Sequence, residues 1–556
     1  MKTSVLMSMK RTVSTRSVLA FFLIVIINVP IMAIIGRVNL SSNNNWEHFK
    51  KYLLPEAINN TFLLVILTLL LSGTIGVLLA AVVVLFDFPL KRLFEWVLYL
   101  PIALPPYIAA YVYAGMLSYT GIIQRFSRDW GIAVPREWLD IMNIRGAVFI
   151  YSITLYPYIY GAVKSFLENH SVSFIETARV LGCKPLSLFI KVILPLIRIP
   201  FIGGLMLVMM EVLSDYGVIK YFNLQTISSS IFSTWFGMGE TGIAIRLSFY
   251  VMLFIIALQA IEEITVGRKK YNIDVGRAKP ITPVKLKGSK GYAVLISLSL
   301  FIAIAFLIPV AQMVVWAIFA LKKVDLTNLW QIIFNTLCYS TLAAVFIITL
   351  NISLAHCRRW MNLKSGFILG KLIQLGYSMP GAIIAIGTIM IFVALDNLLH
   401  PLYLYLNADS KKLVLSTSIA MLVFAFIVRY MAIGFNSVTS AFSKVGVKYN
   451  EAARTLGMGR IKAMLRVELP MMKNSLISGF ILTFIDIVKE LPLTLLLRPF
   501  NYNTLASRVY EYANDERIHE ASVPALILLF LSALAIKLLV KMNFKSGGTR
   551  KNEAHY

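Results

Sequence analysis

The chain has 556 residues, of which 58% are hydrophobic and only 14% are charged. A soluble domain has charged residues at about a quarter of its positions, so this composition excludes an ordinary soluble protein and is typical of an integral membrane protein. The net charge of +26 falls mainly in short segments between apolar runs. That distribution is typical of cytoplasmic loops, and it argues against a nucleic-acid-binding surface.

Apolar runs long enough to cross a bilayer, about 20 residues each, recur along the whole chain. Because the bilayer core has no water to satisfy backbone groups, these runs are expected to be helices. We predict twelve transmembrane helices in two sets of six. The first set lies near 18–35, 63–86, 94–118, 146–163, 196–213 and 243–264. The second set lies near 292–321, 336–355, 367–395, 413–435, 475–497 and 522–540.

An internal repeat relates the two sets of helices. The segment Glu176–Gly204 matches Glu451–Gly479 at a shift of 275 residues, with ten of 29 positions identical. Self-similarity at a fixed shift indicates a duplication. Further matches at this shift are Asn60 and Thr61 with Asn335 and Thr336, Pro105 with Pro380, Glu211 with Asp486, and Asp215 with Glu490. Since each half has an even number of spans, the halves are expected to form a parallel repeat.

These features predict the organisation of the chain. The first six-helix repeat occupies 1–266, a basic cytoplasmic linker occupies 267–291, and the second six-helix repeat occupies 292–556. The basic loops fall on one side of the membrane if both termini are cytoplasmic, as the positive-inside rule expects. The prolines repeated in the third span of each half predict a kink there.

One polar loop is present twice, at 176–195 and at 451–470, between the fourth and fifth spans of each half. The residues before Gly182 and Gly457 favour a helix. Each glycine can adopt a left-handed conformation and end that helix in a turn. Pro195 and Pro470 mark the entry to the next span. We therefore predict a short helix lying across the cytoplasmic membrane surface, followed by a tight turn, in both halves.

This repeated loop resembles the EAA loop of the permease subunits of ABC importers. The residues that carry the match are Glu176, Ala178, Gly182, Leu194 and Pro195 in the first copy, and Glu451, Ala452, Ala453, Gly457, Leu469 and Pro470 in the second. The first copy departs from the motif at Thr177. The resemblance implies that each loop is a coupling helix that docks on an ATPase subunit. Two copies in one chain imply two ATPase subunits.

The resemblance extends over nearly the whole chain. The segments "MEVLSDYGVIKYFNLQTISSSIFSTWFGMGE" (210–240) and "DIVKELPLTLLLRPFNYNTLASRVYEYANDERIHEASVPAL" (486–526) are similar to ferric-iron permeases in which two six-helix units are fused. This implies the type I ABC importer permease fold, a bacterial inner membrane location, and an extracytoplasmic binding protein that delivers ferric iron. Fused permeases for thiamine, polyamines and phosphonates share much of this architecture and remain alternatives.

Five charged residues are predicted to lie deep in the membrane or near its outer face. They are Glu211, Asp215, Asp486, Lys489 and Glu490. Because intramembrane charges are costly and usually face a cavity or each other, they are candidates for the translocation pathway. The alternative is a structural or gating salt bridge in which Lys489 or Arg498 neutralises the acids.

The sequence predicts a transport subunit that is not itself an enzyme. No P-loop pattern occurs, so ATP is expected to be bound by a separate ATPase, and this chain is expected to bind no cofactor. The six histidines and three cysteines are dispersed and match no metal-ligand spacing. A stand-alone secondary transporter, with the acids as proton relays, is the competing interpretation, but it would have no docking partner for the repeated loop.

Overall fold

The computed structural model describes residues 15–38, 45–132, 134–170, 172–266, 283–407 and 411–552. Most of the predicted linker, residues 267–282, therefore lies outside the described residues. The last part of the linker forms strand β2, Val284–Lys285, which pairs in parallel with β1, Phe86–Asp87. The first helix of the second half begins close to its predicted start, at Ser289.

The described residues are mainly α-helical. In the first half the helices are α1 Thr15–Arg37, α2 Trp46–Tyr52, α3 Leu54–Leu85, α4 Lys91–Val97, α5 Pro106–Leu117, α6 Ile122–Asp129, α7 Arg136–Leu139, α8 Ile144–His170, α9 Val172–Val180, α10 Pro185–Leu188, α11 Leu194–Leu196, α12 Arg198–Ser214, α13 Gly217–Tyr221, α14 Ile227–Phe232 and α15 Thr241–Val266. In the second half they are α16 Ser289–Ile302, α17 Ile308–Ala320, α18 Leu326–Arg359, α19 Leu363–Ser378, α20 Gly381–Leu406, α21 Ile419–Val445, α22 Lys448–Thr455, α23 Arg460–Ala463, α24 Leu469–Val488, α25 Pro492–Leu497, α26 Leu505–Asn514 and α27 Ile518–Asn552. A 3-10 turn at Leu100–Ala103 and π-helical turns at Phe189–Ile193, Ser233–Gly237, Ala303–Leu307 and Met464–Glu468 complete them.

The membrane architecture follows the predicted pattern. Within the described residues, ten helical spans are long and apolar enough to cross a membrane, and two bent helix pairs raise the number to twelve. The third span bends by 88° and the fifth by 64° at short breaks. The predicted all-α membrane fold is therefore confirmed.

The repeated prolines break the helices instead of kinking them. Pro105 precedes α5 and Pro380 precedes α20, with φ and ψ of −56° and 140° at the first and −52° and 142° at the second. Proline has no N–H to donate and disfavours helical geometry in the residue before it. The span predicted near 367–395, with a kink at Pro380, is instead broken at that proline: α19 ends at Ser378, and α20, Gly381–Leu406, is the helix long enough to cross the membrane.

The chain folds as two compact units whose boundaries differ from the two halves of the sequence. One unit contains α1 together with 326–507 and the chain from Phe530 onward. The other contains 42–325 together with Arg508–Leu529. The first helix of each half thus belongs to the compact unit that holds most of the other half.

In the first of these units, α1 packs against α20 through one apolar stripe. The buried positions of this stripe are Ala20, Ile24, Ile27, Ile31 and Ile34. Their spacing of three and four residues places them on one face of a helix. The close approach is possible because Gly387 has no side chain: a Cβ there would lie 2.4 Å from the carbonyl oxygen of Pro30.

In the other unit, α17, which belongs to the first span of the second half, packs against α5. The Oη atom of Tyr111 lies 3.6 Å from the sulfur of Met313, and both residues are buried. A Cβ at Gly115 would lie 2.7 Å from the ring of Trp316. Close packing of this kind excludes lipid and fixes α17 on α5.

Candidate functional site

The repeated loop forms the same helix and turn in both halves. Gly182 follows α9 with φ of +77°, and Gly457 follows α22 with φ of +84°. The N–H of the residue after each glycine donates to the carbonyl oxygen five residues earlier, at 3.0 Å for Ala178 and 3.1 Å for Ala453. This bond across a left-handed residue is a Schellman C-cap. The predicted left-handed turn is confirmed in both copies.

The surface of each loop exposes an apolar side chain just before the glycine. Leu181 is 77% exposed and Leu456 is 82% exposed. Sequence reasoning treats these leucines only as helix formers, although their repetition at the shift of 275 residues is a signal. Ala178 and Ala453 are buried on the opposite side of the turn.

The other predicted loop residues differ between the two copies. Glu176 is half-buried, whereas Glu451 and Ala452 are exposed. Leu194 and Pro195 begin the three-residue helix α11, which breaks at Ile197 before α12. In the second copy, Leu469 and Pro470 begin α24, which continues without a break to Val488. The exit from the loop is therefore bent in the first copy and continuous in the second.

The repeated Asn-Thr pair, at the start of the second span of each half, forms hydrogen bonds to the backbone beyond the fifth span. We call this arrangement the Asn-Thr clamp. In the first half, the side chain of Asn60 donates to the carbonyl of Gln225 at 2.9 Å, and Thr61 Oγ1 accepts from the N–H of Ile227 at 3.0 Å. Thr61 is thereby a fixed acceptor at the start of α14.

The second half has the same clamp. The side chain of Asn335 lies 3.5 Å from the carbonyl of Asn503, and Thr336 Oγ1 accepts from the N–H of Leu505 at 2.8 Å. The two carbonyl partners, Gln225 and Asn503, lie 278 positions apart, whereas the repeat shift is 275. The second half therefore has three extra residues between Glu490 and Asn503 compared with Asp215 and Gln225 in the first half. Sequence analysis identifies the repeated pair but not its partners.

Asp215, at the end of α12, has local hydrogen-bond partners. Its carboxylate accepts from the hydroxyl of Tyr151 at 2.6 Å, and from the N–H of Val218 at 3.0 Å and of Gly217 at 3.3 Å. The carboxylate therefore ties α8 to the first turn of α13.

Glu490 has a matching arrangement in the second half. Its carboxylate accepts from the hydroxyl of Tyr430 at 2.6 Å and from the N–H of Leu493 at 3.0 Å. Arg429 lies 3.8 Å from the same buried carboxylate. Sequence reasoning does not identify this arginine, which lies inside an apolar span.

The remaining predicted pathway residues also have neighbours. Lys489 forms an ion pair with Asp486 at 2.8 Å, which is the local neutralisation considered for these acids. Arg498 donates to the side-chain oxygen of Asn503 and lies 3.4 Å from Ser507 Oγ. Glu211 lies within α12 and is half-buried. Glu211 and Asp215 belong to one compact unit, and Asp486, Lys489 and Glu490 to the other. The mutual arrangement of the four acids stays a prediction.

A cavity of about 420 Å³ lies beside the loop after α12. Its lining combines the aromatic rings of Tyr216 and Phe232 with the polar side chains of Lys220, Asn223 and Gln225. Burial raises the pKa of Tyr216 to about 12. The described lining residues include no acid, so the fixed charge of the cavity is positive.

The described residues contain no group of three or more histidine, cysteine or acidic side chains that could hold a metal ion. The site elements are instead two surface loops, two tyrosine–carboxylate pairs and two Asn-Thr clamps. Each of these elements in one half has a counterpart in the other half, as expected of a chain built by duplication.

Comparison with known proteins identifies the class. Residues 72–271 and 349–543 each match the family described as "Binding-protein-dependent transport system inner membrane component". Because these two matches cover more than half of the chain, the chain belongs to this family. It is a permease subunit of an ABC importer with two such units fused in one chain, and a multi-pass inner membrane protein. Its family implies separate ATPase and solute-binding partners.

Three members of the family with assigned substrates are similar to this chain in sequence. An Fe(3+)-transport system permease protein of Haemophilus influenzae is 21% identical over 88% of this chain and 91% of that protein. A sulfate transport system permease protein of Salmonella typhimurium is 25% identical over 36% of this chain and 70% of that protein. A molybdenum transport system permease protein of Escherichia coli is 31% identical over 27% of this chain and 64% of that protein.

Proposed function

We propose that this chain is the fused permease of an ATP-driven importer that takes up ferric iron from an extracytoplasmic binding protein. One observation carries the choice of substrate. The Fe(3+)-transport permease matches 88% of this chain, and thus both fused units, whereas the sulfate and molybdenum permeases match 36% and 27%. Iron is the cargo in this proposal, and the chain itself holds no cofactor and carries out no catalysis.

The proposal assigns ATPase docking to the two repeated loops. Each loop offers a helix, a rigid glycine turn and an exposed leucine, Leu181 or Leu456. A large exposed apolar side chain on a structured turn is typical of an interaction site. Two loops then take one ATPase subunit each. Both loops and both termini lie on the cytoplasmic side, and the duplicated repeats occupy 1–266 and 292–556 with the linker between them.

The translocation pathway in this proposal passes the predicted acids. Glu211, Asp215, Asp486 and Glu490 outnumber the cations paired with them, Lys489 and Arg429. The remaining negative charge favours entry of a cation, while the two cations limit how tightly it is held. A permease must bind weakly enough to release its ion. Asp215 and Glu490 already accept hydrogen bonds from several donors, so few of their acceptor positions are left to bind the ion. We therefore assign them to the gate and not to the ligands of the ion.

The test is purification of the chain with its ATPase and its binding protein, followed by metal analysis of the binding protein. We expect iron in that protein, and ATP-dependent uptake of radioactive ferric iron by the reconstituted complex. A binding protein that carries no iron after growth in iron-replete medium, and a complex that does not transport iron, would contradict the proposal.

The cavity beside α12 favours a second candidate, import of an oxyanion. Lys220, Asn223 and Gln225 can all donate hydrogen bonds, and no acid lines the described part of the cavity. Such a lining suits an anion better than a metal cation. Two of the relatives are named for sulfate and molybdenum transport.

Uptake of radioactive sulfate and molybdate by the same complex separates the two candidates. If iron is the cargo, neither oxyanion is taken up, and Lys220→Gln leaves iron uptake within about twofold of the unchanged chain, since an exposed lysine outside the pathway contributes little. Oxyanion uptake that Lys220→Gln abolishes, while the control Lys322→Gln preserves it, would establish the second candidate.

A further inference from the structure

The second repeated loop is held by a buried polar network. Glu468 is fully buried in the π-helical turn before α24. One of its carboxylate oxygens lies 2.5 Å from Nη1 of Arg359, and the other accepts from the side chain of Asn450 at 2.9 Å. Arg359 also donates to the carbonyl oxygen of Gly446. The network therefore joins four parts of one compact unit.

The members of this network occupy both ends of the loop. Asn450 lies in α22, the helix before the glycine turn, and Glu468 lies after the turn, next to the Leu-Pro pair. Arg359 is the last residue of the long helix α18, and Gly446 ends α21. A displacement of α22 relative to the end of α18 would therefore break hydrogen bonds to a buried charge.

The first loop has apolar residues at the same three positions. At the shift of 275 residues, Arg359 corresponds to Val84, Asn450 to Ile175 and Glu468 to Ile193. All three of these apolar residues are buried. The same three positions of the repeat thus hold a charged network in the second half and aliphatic side chains in the first. The residues of the first half can therefore be copied into the second as a control variant.

We propose that Arg359, Asn450 and Glu468 are positioning residues that hold the second ATPase-docking helix, α22, in a defined place against the end of α18. Aliphatic burial does this for the first loop. A buried carboxylate needs its partners in position, since leaving one charge unpaired inside a protein is strongly unfavourable. The inference rests on the proposed docking of both loops on ATPase subunits.

The experiment uses the whole importer reconstituted in liposomes with its ATPase and binding protein. The measured quantity is cargo transported per ATP hydrolysed, normalised to assembled complex. Glu468→Gln keeps the size of the side chain, but it replaces one acceptor oxygen with an NH2 donor and removes the charge that pairs with Arg359. We expect the complex to assemble and its transport per ATP to fall about tenfold, because a displacement of about 1 Å in a positioned group costs that much or more.

The matched variant Arg359→Val, Asn450→Ile and Glu468→Ile copies the residues of the first loop. We expect it to restore transport per ATP to within about twofold, because replacing a whole buried ionic network with aliphatic residues is often neutral. The control Glu520→Gln removes a carboxylate that lies 3.5 Å from Arg517, outside both loops, and should leave the ratio unchanged.

Two results would overturn the inference. Glu468→Gln with an unchanged ratio and only a lower melting temperature would make the network purely structural. A triple variant that is as poorly coupled as Glu468→Gln, or that does not assemble, would show that aliphatic side chains do not replace the network. If docking itself is wrongly assigned, the ATPase stays bound after both Gly182 and Gly457 are changed to valine, an outcome independent of Glu468.

Discussion

The hydroxyl of Tyr430, in α21, donates to the carboxylate of Glu490, just after α24, across 2.6 Å, and both side chains are buried. The hydroxyl of Tyr151 donates to Asp215 at the same distance in the first half. The two carboxylates correspond in the repeat, but the tyrosines do not: Tyr151 plus 275 is Phe426, one helical turn before Tyr430. The pairing of an acid with a tyrosine is thus preserved with a shift of one turn.

Tyr430→Phe is expected to destabilise the protein by about 2 kcal/mol, because it leaves a buried carboxylate without one of its donors. Thermal unfolding of the purified complex in detergent measures this loss. Tyr405→Phe removes a hydroxyl from an 87% exposed residue and is the matched control. Equal melting temperatures for the two variants would contradict a stabilising role for the Tyr430–Glu490 bond.

Changing both Gly182 and Gly457 to valine is expected to weaken copurification of the ATPase while the chain still inserts in the membrane. A left-handed conformation costs an L-residue about 1–2 kcal/mol, and more for a β-branched one. A Cβ added at either glycine would have no neighbouring atom within 4 Å. Valine would therefore destabilise the turn through its positive φ and not through a steric clash.

The control for this prediction lies on the same loop. Gly459 is equally open but has φ of −66° and ψ of 155°, which valine adopts readily. Gly459→Val should therefore leave the ATPase bound. Normal copurification of the ATPase and normal uptake in the double variant at 182 and 457 would show that docking does not need the glycine turns.

Thr336→Val is expected to destabilise the compact unit that contains 326–507 by about 1–3 kcal/mol, because it leaves the buried N–H of Leu505 without an acceptor while keeping the shape of the side chain. Thr61→Val should act in the same way on Ile227. Thr349→Val is the control, since that exposed hydroxyl only donates within its own helix, to Val345 O at 2.8 Å. Denaturation midpoints that do not distinguish Thr336 from Thr349 would exclude the clamp as a source of stability.

Neutralising Glu211 together with Asp486, as Glu211→Gln and Asp486→Asn, is expected to slow iron uptake per assembled complex several-fold without loss of the ATPase. The reason is electrostatic: acids along the pathway lower the entry barrier for a cation. Asp129→Asn, in the exposed helix α6, is the control for charge alone. An unchanged rate per complex would remove these acids from the pathway, and a loss of folded protein would identify them as structural anchors.

Sequence reasoning predicts those parts of the site that the duplication repeats. The glycine turns, the Leu-Pro entries and the Asn-Thr pair are all visible as identities at one shift. The sequence does not reveal partners that lie far away along the chain, such as Gln225 for Asn60 or Arg429 for Glu490, because a repeat reports which residues correspond and not which residues touch.

The exchange of first helices between the compact units has the same physical origin. The repeat places α1 with the first half, but the stripe from Ala20 to Ile34 packs in the unit that contains 326–507. The sequence of an apolar helix predicts that the helix is buried or faces lipid. It does not predict which other helix it packs against. Hydropathy likewise continues across Pro380, so the sequence predicts a kink where the structure has a break.

If ATPase subunits docked on this chain power transport, uptake by the chain reconstituted in liposomes depends on them. Liposomes contain either the chain alone or the chain with its ATPase, and the binding protein loaded with radioactive ferric iron is added outside. We expect uptake only with the ATPase and internal ATP, and we expect it to persist when the proton gradient is collapsed. Uptake by the chain alone, driven by a pH gradient without ATP, would exclude an ATP-driven importer and establish a secondary transporter.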